Sequence, residues 1–259
     1  MNFTELMNSP RLPQLTQRYD AYTEEDRKVW KLLYERQYQF LLQHACRDFL
    51  DGLKTVGFSP DRIPDFVEVN ERLAQTTGWS VQVVHGLVDD DLFFGLLRHR
   101  RFPSSTWLRK ISELDYLQEP DMFHDAFAHL PLLTNQPFVN FLEELAAIAL
   151  DYVDNPLAIE MLSRIYWYTV EFGLIREQDE LKVYGAGILS SIGETKFSLS
   201  DEPRHMDFDV FTILNTPFWK NRFQDRYFII DDFDQLFASI PEIRAQLGDI
   251  LASPTNDER

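Results

Sequence analysis

After Thr23, apolar residues recur at three- and four-residue steps, with Val29, Trp30, Leu33, Tyr34, Phe40 and Leu41 falling on one side of a helix. Thr23 offers an N-cap, and Glu24, Glu25 and Asp26 place acids in the first turn, so one long amphipathic helix is expected from there to about Gly52. A stripe of that length must be buried, and the same signals recur along the chain. They predict helices near 65–77, at 89–99 (Leu92, Phe93, Leu96 and Leu97 on one side), from Pro120 to Pro131, from a cap at Asp154 or Asn155 to Gly173, and from about Phe233. Short strands are expected within 78–85 and at Arg226–Ile230, with Gly185-Ala-Gly187 as a turn. Residues 1–15, with Pro10 and Pro13, read as a loose N-terminal arm, 16–252 as a single domain and 253–259 as a polar tail. The fold class is mainly α, of the α+β kind, with small β elements.

The 259 residues suffice for a large core without covalent staples, and the single Cys46 excludes a disulfide framework. A formal charge of −17 repels phosphate backbones and anionic lipid heads, which argues against nucleic acid or a membrane surface as partner. Neither a basic flank with an apolar segment at the start nor an apolar run long enough to span a bilayer is present, so a cytoplasmic location is expected.

Chemistry concentrates in two segments. His124 and His129 share the helix that begins near Pro120, and Glu171 follows the apolar run Ile165-Tyr-Trp-Tyr-Thr-Val170. A carboxylate in such surroundings demands a cation or several donors. Two imidazoles and one carboxylate suit a divalent metal with open coordination positions, as in non-haem iron(II) oxygenases. Zinc accepts the same set, and two histidines at this spacing also occur as ordinary core or surface residues. On an ideal α-helix, side chains five apart diverge by about 140°. The expected remedy is Pro131, which disfavours helix at Leu130 and should swing His129 round.

Longer blocks go further: Tyr22-Thr-Glu-Glu-Asp26, Leu33-Tyr-Glu-Arg-Gln37, Arg100-Arg-Phe-Pro103, Leu114-Asp-Tyr-Leu-Gln-Glu-Pro-Asp121, the segment 124–131, Ile165-Tyr-Trp-Tyr-Thr-Val-Glu-Phe-Gly-Leu174 and Tyr184-Gly-Ala-Gly-Ile-Leu-Ser-Ser191. In this order they resemble the pterin-dependent aromatic amino acid hydroxylases, and most of all the bacterial phenylalanine hydroxylases. The resemblance implies a basket-like helical catalytic domain with Fe(II) on His124, His129 and Glu171, a tetrahydropterin such as tetrahydrobiopterin as cofactor, and O2 as co-substrate. It also implies an amino-acid substrate held by Arg109, Pro120, Trp167 and Ser190, and a pterin site at Gly86, Leu87, Phe93, Asp125 and Tyr166. Asp125 stands where the family has Glu, and Ala128 where it usually has Gly before the second His, which puts pterin affinity and coupling in question. The further regulatory domain and tetramerising helix of some members are not matched, so a monomer is expected, with a pterin-carbinolamine dehydratase as a functional partner. Two other functions fit the same residues. One is tryptophan hydroxylation, or attack at another ring position; the other is a non-catalytic module that senses an amino acid.

Overall fold

Helical stripes are buried against one another in the computed structural model, which describes residues 2–114 and 119–253. The N-terminal segment corrects the expectation of a loose arm. Asn2 and Glu5 form a reciprocal capping box on α1 (Phe3–Met7). Leu6 and Leu12 are buried with Val84, Leu92 and Leu96, and Arg11 bonds Asp89 at 2.9 Å and also pairs with Asp91. The prolines suggested a free segment, but two leucines anchor it.

Thr23 and Asp26 cap α2 (Glu24–His44), which stops short of the expected Gly52. Ala45 turns extended and bridges Val183, Cys46 donates its N–H to the Val183 carbonyl at 3.0 Å, and α3 (Arg47–Val56) restarts. The new helix takes its N-terminal partner from a distant strand, where Glu177 accepts from the Arg47 N–H at 3.0 Å. Next come α4 (Phe66–Thr76), capped by Asp65, then β1 (Ser80–Val83), α5 (Asp90–Arg98) and β2 (Arg101–Ser104). β1 and β2 run parallel, Ser80 opposite Arg101.

The helix expected from Pro120 begins at Phe123, is π-wound to His129, and passes into a 3-10 turn at Leu130–Thr134 instead of ending at Pro131. Pro131 lies in the first turn of that segment, where its missing N–H is tolerated. Then α6 (Gln136–Asp151), absent from the sequence expectations, runs through the core with Phe138, Phe141, Leu142, Leu145 and Ile148 among its buried residues. As expected, α7 (Pro156–Tyr166) is capped by Asn155, and it continues into a second π-turn, Trp167–Glu171.

β3 (Leu174–Glu177) and β4 (Glu180–Val183) form a hairpin closed by Gln178 and Asp179, both left-handed at φ 51° and 65°. α8 (Ala186–Leu189), α9 (Ile192–Ser198), β5 (Arg204–Asp207), α10 (Val210–Leu214), β6 (Arg226–Ile230), α11 (Phe233–Ala238) and α12 (Ile240–Ala252) complete the described chain. The sheet order is β4-β3-β6-β5, antiparallel in the hairpin and parallel elsewhere. Gly185 and Gly187 are not turn residues but the cap and interior of α8. A Cβ on Gly185 would stand 2.4 Å from the Glu171 carbonyl oxygen, and one on Gly187 2.6 Å from the Phe172 ring, so glycine lets α8 lie directly on the end of the π-turn. Residues 115–118, inside one of the family-like blocks, and the tail beyond Ser253 lie outside the described residues. Among the described residues no helix is long and apolar enough to cross a membrane.

Glu194 of α9 is buried and accepts a hydrogen bond from the Tyr227 hydroxyl. Burial pushes its carboxyl up to about 7, against the opposing pull of Tyr227 and the Gln224 backbone. The folded state thus holds this proton more tightly than the unfolded chain. The associated stability is complete below the ordinary carboxylate range, declines as pH rises toward 7, and is lost above it, a change on the order of 2–3 kcal/mol. Glu194→Gln keeps an acceptor for Tyr227 without the titration. In urea unfolding, its stability relative to the parent is expected to rise between pH 5 and pH 8; parallel profiles would contradict this.

Candidate active site

Three polar side chains converge within the aromatic core. His124 Nε2 lies 3.2 Å from His129 Nε2 and 3.6 Å from a Glu171 carboxylate oxygen, and His129 Nε2 is 3.3 Å from the other oxygen. Donors about 2.1 Å from a shared metal stand about 3 to 3.4 Å from one another, so the set is spaced as metal ligands are. The spacing serves tetrahedral and octahedral ions alike.

The local winding produces this convergence. In a π-helix the backbone bonds i to i+5 and each residue turns the chain less, so residues five apart diverge far less than on an α-helix. His129 and Leu130 keep right-handed helical angles, so the histidines are aligned by a widened turn and not by the expected break before Pro131. The opposite face of that turn is pinned by rings: Phe123 stacks on Phe127 at 4.7 Å, Trp30 meets Phe123 edge-on, and Tyr34 and Phe49 both meet Phe127 edge-on. Glu171 ends the second π-turn.

Burial lowers His124 to about 4 and leaves its ring neutral. Burial would raise the Glu171 carboxyl, but the two histidine rings and a Gly187 backbone hydrogen bond outweigh it and hold the group below its ordinary value. Neutral imidazole and ionised carboxylate are the forms that bind a divalent cation. Ser190 settles which His124 nitrogen faces the site. Its hydroxyl donates to the Ala186 carbonyl at 2.8 Å, so toward His124 Nδ1, 2.9 Å away, it acts as acceptor. The proton sits on Nδ1 and the Nε2 lone pair points at His129 and Glu171.

The triad opens on a cavity of about 250 Å³. Of the residues expected from sequence, Gly86, Leu87, Phe93, Pro120, His124, Asp125, His129, Tyr166, Trp167 and Glu171 all line it. Phe93 meets the Tyr166 ring edge-on at 5.3 Å, and a Cβ on Gly86 would meet nothing within 4 Å. A slot with one aromatic wall and open backbone beside it suits a flat heterocycle. Asp125 accepts from the Ser105 N–H at 2.8 Å, and burial pushes its carboxyl up to about 7. Burial also drives the Tyr166 hydroxyl well above its ordinary value, so it stays neutral.

Arg109 and Ser190 are not among the lining residues. The Arg109 Nε and Nη2 donate to the two Asp121 oxygens at 2.9 Å each, and Asp121 also accepts from the His124 N–H at 3.2 Å. Asp121 thus ties the arginine to the first histidine, a link without a sequence signal beyond its place after Pro120. Phe218, Lys220 and Asp90 line the cavity unanticipated.

The family model for biopterin-dependent aromatic amino acid hydroxylases matches residues 10–249. The chain belongs to that family. As a biopterin-dependent aromatic amino acid hydroxylase it is 46% identical over 235 residues to the phenylalanine-4-hydroxylase of Chromobacterium violaceum, covering 88% of this chain and 77% of that one. It is 47% identical over 217 residues to the Ralstonia nicotianae phenylalanine-4-hydroxylase, covering 83% and 69%. The crystal structure of the C. violaceum enzyme with bound oxidised Fe(III) superposes with a TM-score of 0.90 at 44% identity, covering 95% of this chain and 90% of that one. The same enzyme with iron(III) and 7,8-dihydrobiopterin gives 0.87 at 44% identity, covering 93% and 88%. Within this hydroxylase family, iron is the metal the donor set serves.

Ser190→Ala frees the His124 ring without touching a donor atom. It is expected to weaken cobalt(II) or iron(II) binding about 10- to 100-fold, read by metal titration of the apoprotein. Affinity equal to the parent would show that the Ser190 contact does not orient the ring.

Proposed function

We propose that this hydroxylase is a phenylalanine 4-monooxygenase, converting L-phenylalanine to L-tyrosine with O2 and a tetrahydropterin at a mononuclear Fe(II) site. The observation that carries the reading is the His124, His129 and Glu171 set opening directly onto an aromatic-lined cavity. The names of the C. violaceum and R. nicotianae relatives support the substrate.

In this reading His124, His129 and Glu171 hold the metal. When bound, iron would activate O2, the oxidant, and the tetrahydropterin would supply two electrons, so that one oxygen atom enters the ring C–H bond and the other is reduced to the level of water. The protein's own task is to hold two organic rings and keep water away. Phe93, with Tyr166 at its edge, is the stacking wall for the pterin, the backbone at Gly86 and Leu87 borders it, and Asp125 presents its carboxyl beside it. Trp167 and Pro120 confine the substrate ring. Arg109 is the proposed anchor for the substrate carboxylate through Nη1, which makes only a long 3.5 Å bond to the Leu114 carbonyl, since Asp121 occupies Nε and Nη2. Ser190 acts through His124.

The proposal extends to a single catalytic unit over about 16–252 and to a cytoplasmic monomer, served by a dehydratase that removes water from the hydroxylated pterin. The buried, unpaired Cys46 fits a reducing compartment. The test is anaerobic loading with ferrous iron followed by O2, tetrahydropterin and equimolar phenylalanine, tyrosine and tryptophan. Tyrosine formed from phenylalanine in near one-to-one ratio with pterin oxidised, and abolished in His124→Ala, is the expected result. Faster turnover of tryptophan would move the assignment to that substrate, and binding without any product would leave a sensor.

A further inference from the structure

Gln224 has not entered the chemistry so far, yet it touches the substrate cavity through Trp167. It is 1% exposed and lies on the segment before β6. Its Oε1 accepts from the Trp167 indole N–H at 3.0 Å. Its Nε2 donates to the Trp219 carbonyl at 2.8 Å and the Arg222 carbonyl at 3.2 Å. These partners fix the orientation of the amide. Turned over, it would set a donor against the indole N–H and its oxygen against two carbonyls. One side chain therefore fastens both the indole and the loop leading from Phe218.

That loop forms a wall of the cavity. Phe218 stacks on the Trp167 indole at 4.3 Å and 17°, Phe172 packs on it at 4.6 Å, and the neighbouring Tyr168 hydroxyl donates to the Pro217 carbonyl at 2.8 Å. Ring stacking fixes the plane of the indole but not which of its edges faces Gln224, because a half-turn about the Cβ–Cγ bond keeps that plane. The N–H bond to Gln224 selects one of the two, and Trp167 begins the π-turn that ends at Glu171.

We propose that Gln224 is a positioning residue for substrate binding: it selects which edge of the Trp167 indole faces it and holds the loop of Phe218 against that ring, so that the ring to be hydroxylated has one resting place. The inference rests on the substrate role proposed above for Trp167. Loss of this bond leaves the metal donors untouched but gives the substrate ring a looser seat. The expected signature is a raised KM and a lower yield of hydroxylated product per pterin oxidised, with kcat little changed.

The test compares Gln224→Leu, Trp167→Phe, the double variant and Trp167→Ala. Trp167→Phe keeps a stacking ring but removes the N–H donor together with the pyrrole ring, so should Gln224→Leu fail to fold the test rests on Trp167→Phe read against Trp167→Ala. Each single variant is expected to raise the KM for phenylalanine roughly three- to tenfold, the worth of one hydrogen bond, with the double variant no worse than either. In 15N-labelled apoprotein, the Trp167 indole N–H should exchange with solvent faster in Gln224→Leu than in the parent. A lowered melting temperature with parental KM, product yield and indole exchange would overturn the proposal and leave Gln224 a structural residue. A parental KM in Trp167→Ala would instead remove the substrate role of Trp167. A raised KM there, with parental values in the other variants, would refute the role of Gln224 alone.

Discussion

Two wide helical turns, Phe123–His129 and Trp167–Glu171, carry the chemistry of this molecule: both histidines lie on the first, the glutamate ends the second, and the three stand within ligand range of one another. Such turns have poorer hydrogen-bond geometry than α-helix and persist where their surroundings hold them. Here the first is held by the rings of Trp30, Tyr34 and Phe49 gripping Phe123 and Phe127. The second is held by α8, whose glycines let its backbone touch Glu171 and Phe172. With the neutral His124 imidazole and the ionised Glu171 carboxylate together in the core, the site carries a negative charge that a divalent cation would balance.

Several residues around the cavity are held in turn by a neighbouring residue. Ser190 fixes the tautomer of His124, Asp121 joins the His124 backbone to the Arg109 guanidinium, and Ser105 holds Asp125. These aiming contacts come from α8, from the segment before the first π-turn and from the segment after β2, so the cavity depends on how distant elements pack. Placing a reacting ring within such a frame is a matter of orientation, which is where binding energy is most effective in lowering a barrier.

Much of this was legible in the sequence. Caps at Thr23 and Asn155 marked helix starts correctly, and the donor set together with Pro120, Asp125, Tyr166 and Trp167 of the cavity lining lies in the family-like blocks. What stayed hidden had specific physical causes. The α2–α3 break is imposed by Val183, far along the chain, and leaves no local mark. Helix α6 is apolar on too many sides to show a stripe. The β3–β4 hairpin turns on Gln178 and Asp179, without the glycine that normally announces such a turn. The π-winding was missed because Pro131 offered a plausible local remedy for the five-residue spacing, whereas the remedy adopted comes from tertiary packing. The contact of Ser190 with His124 likewise has no signal in the sequence.

The central claim is that the two π-turns create a single iron site from His124, His129 and Glu171. Anomalous diffraction at the iron edge, from crystals loaded anaerobically with Fe(II), tests it most directly. The account expects one strong peak bonded to Nε2 of both histidines and to the Glu171 carboxylate, with Nδ1 of His124 still on Ser190. A peak elsewhere, or iron bound through Nδ1 of His124, would contradict it.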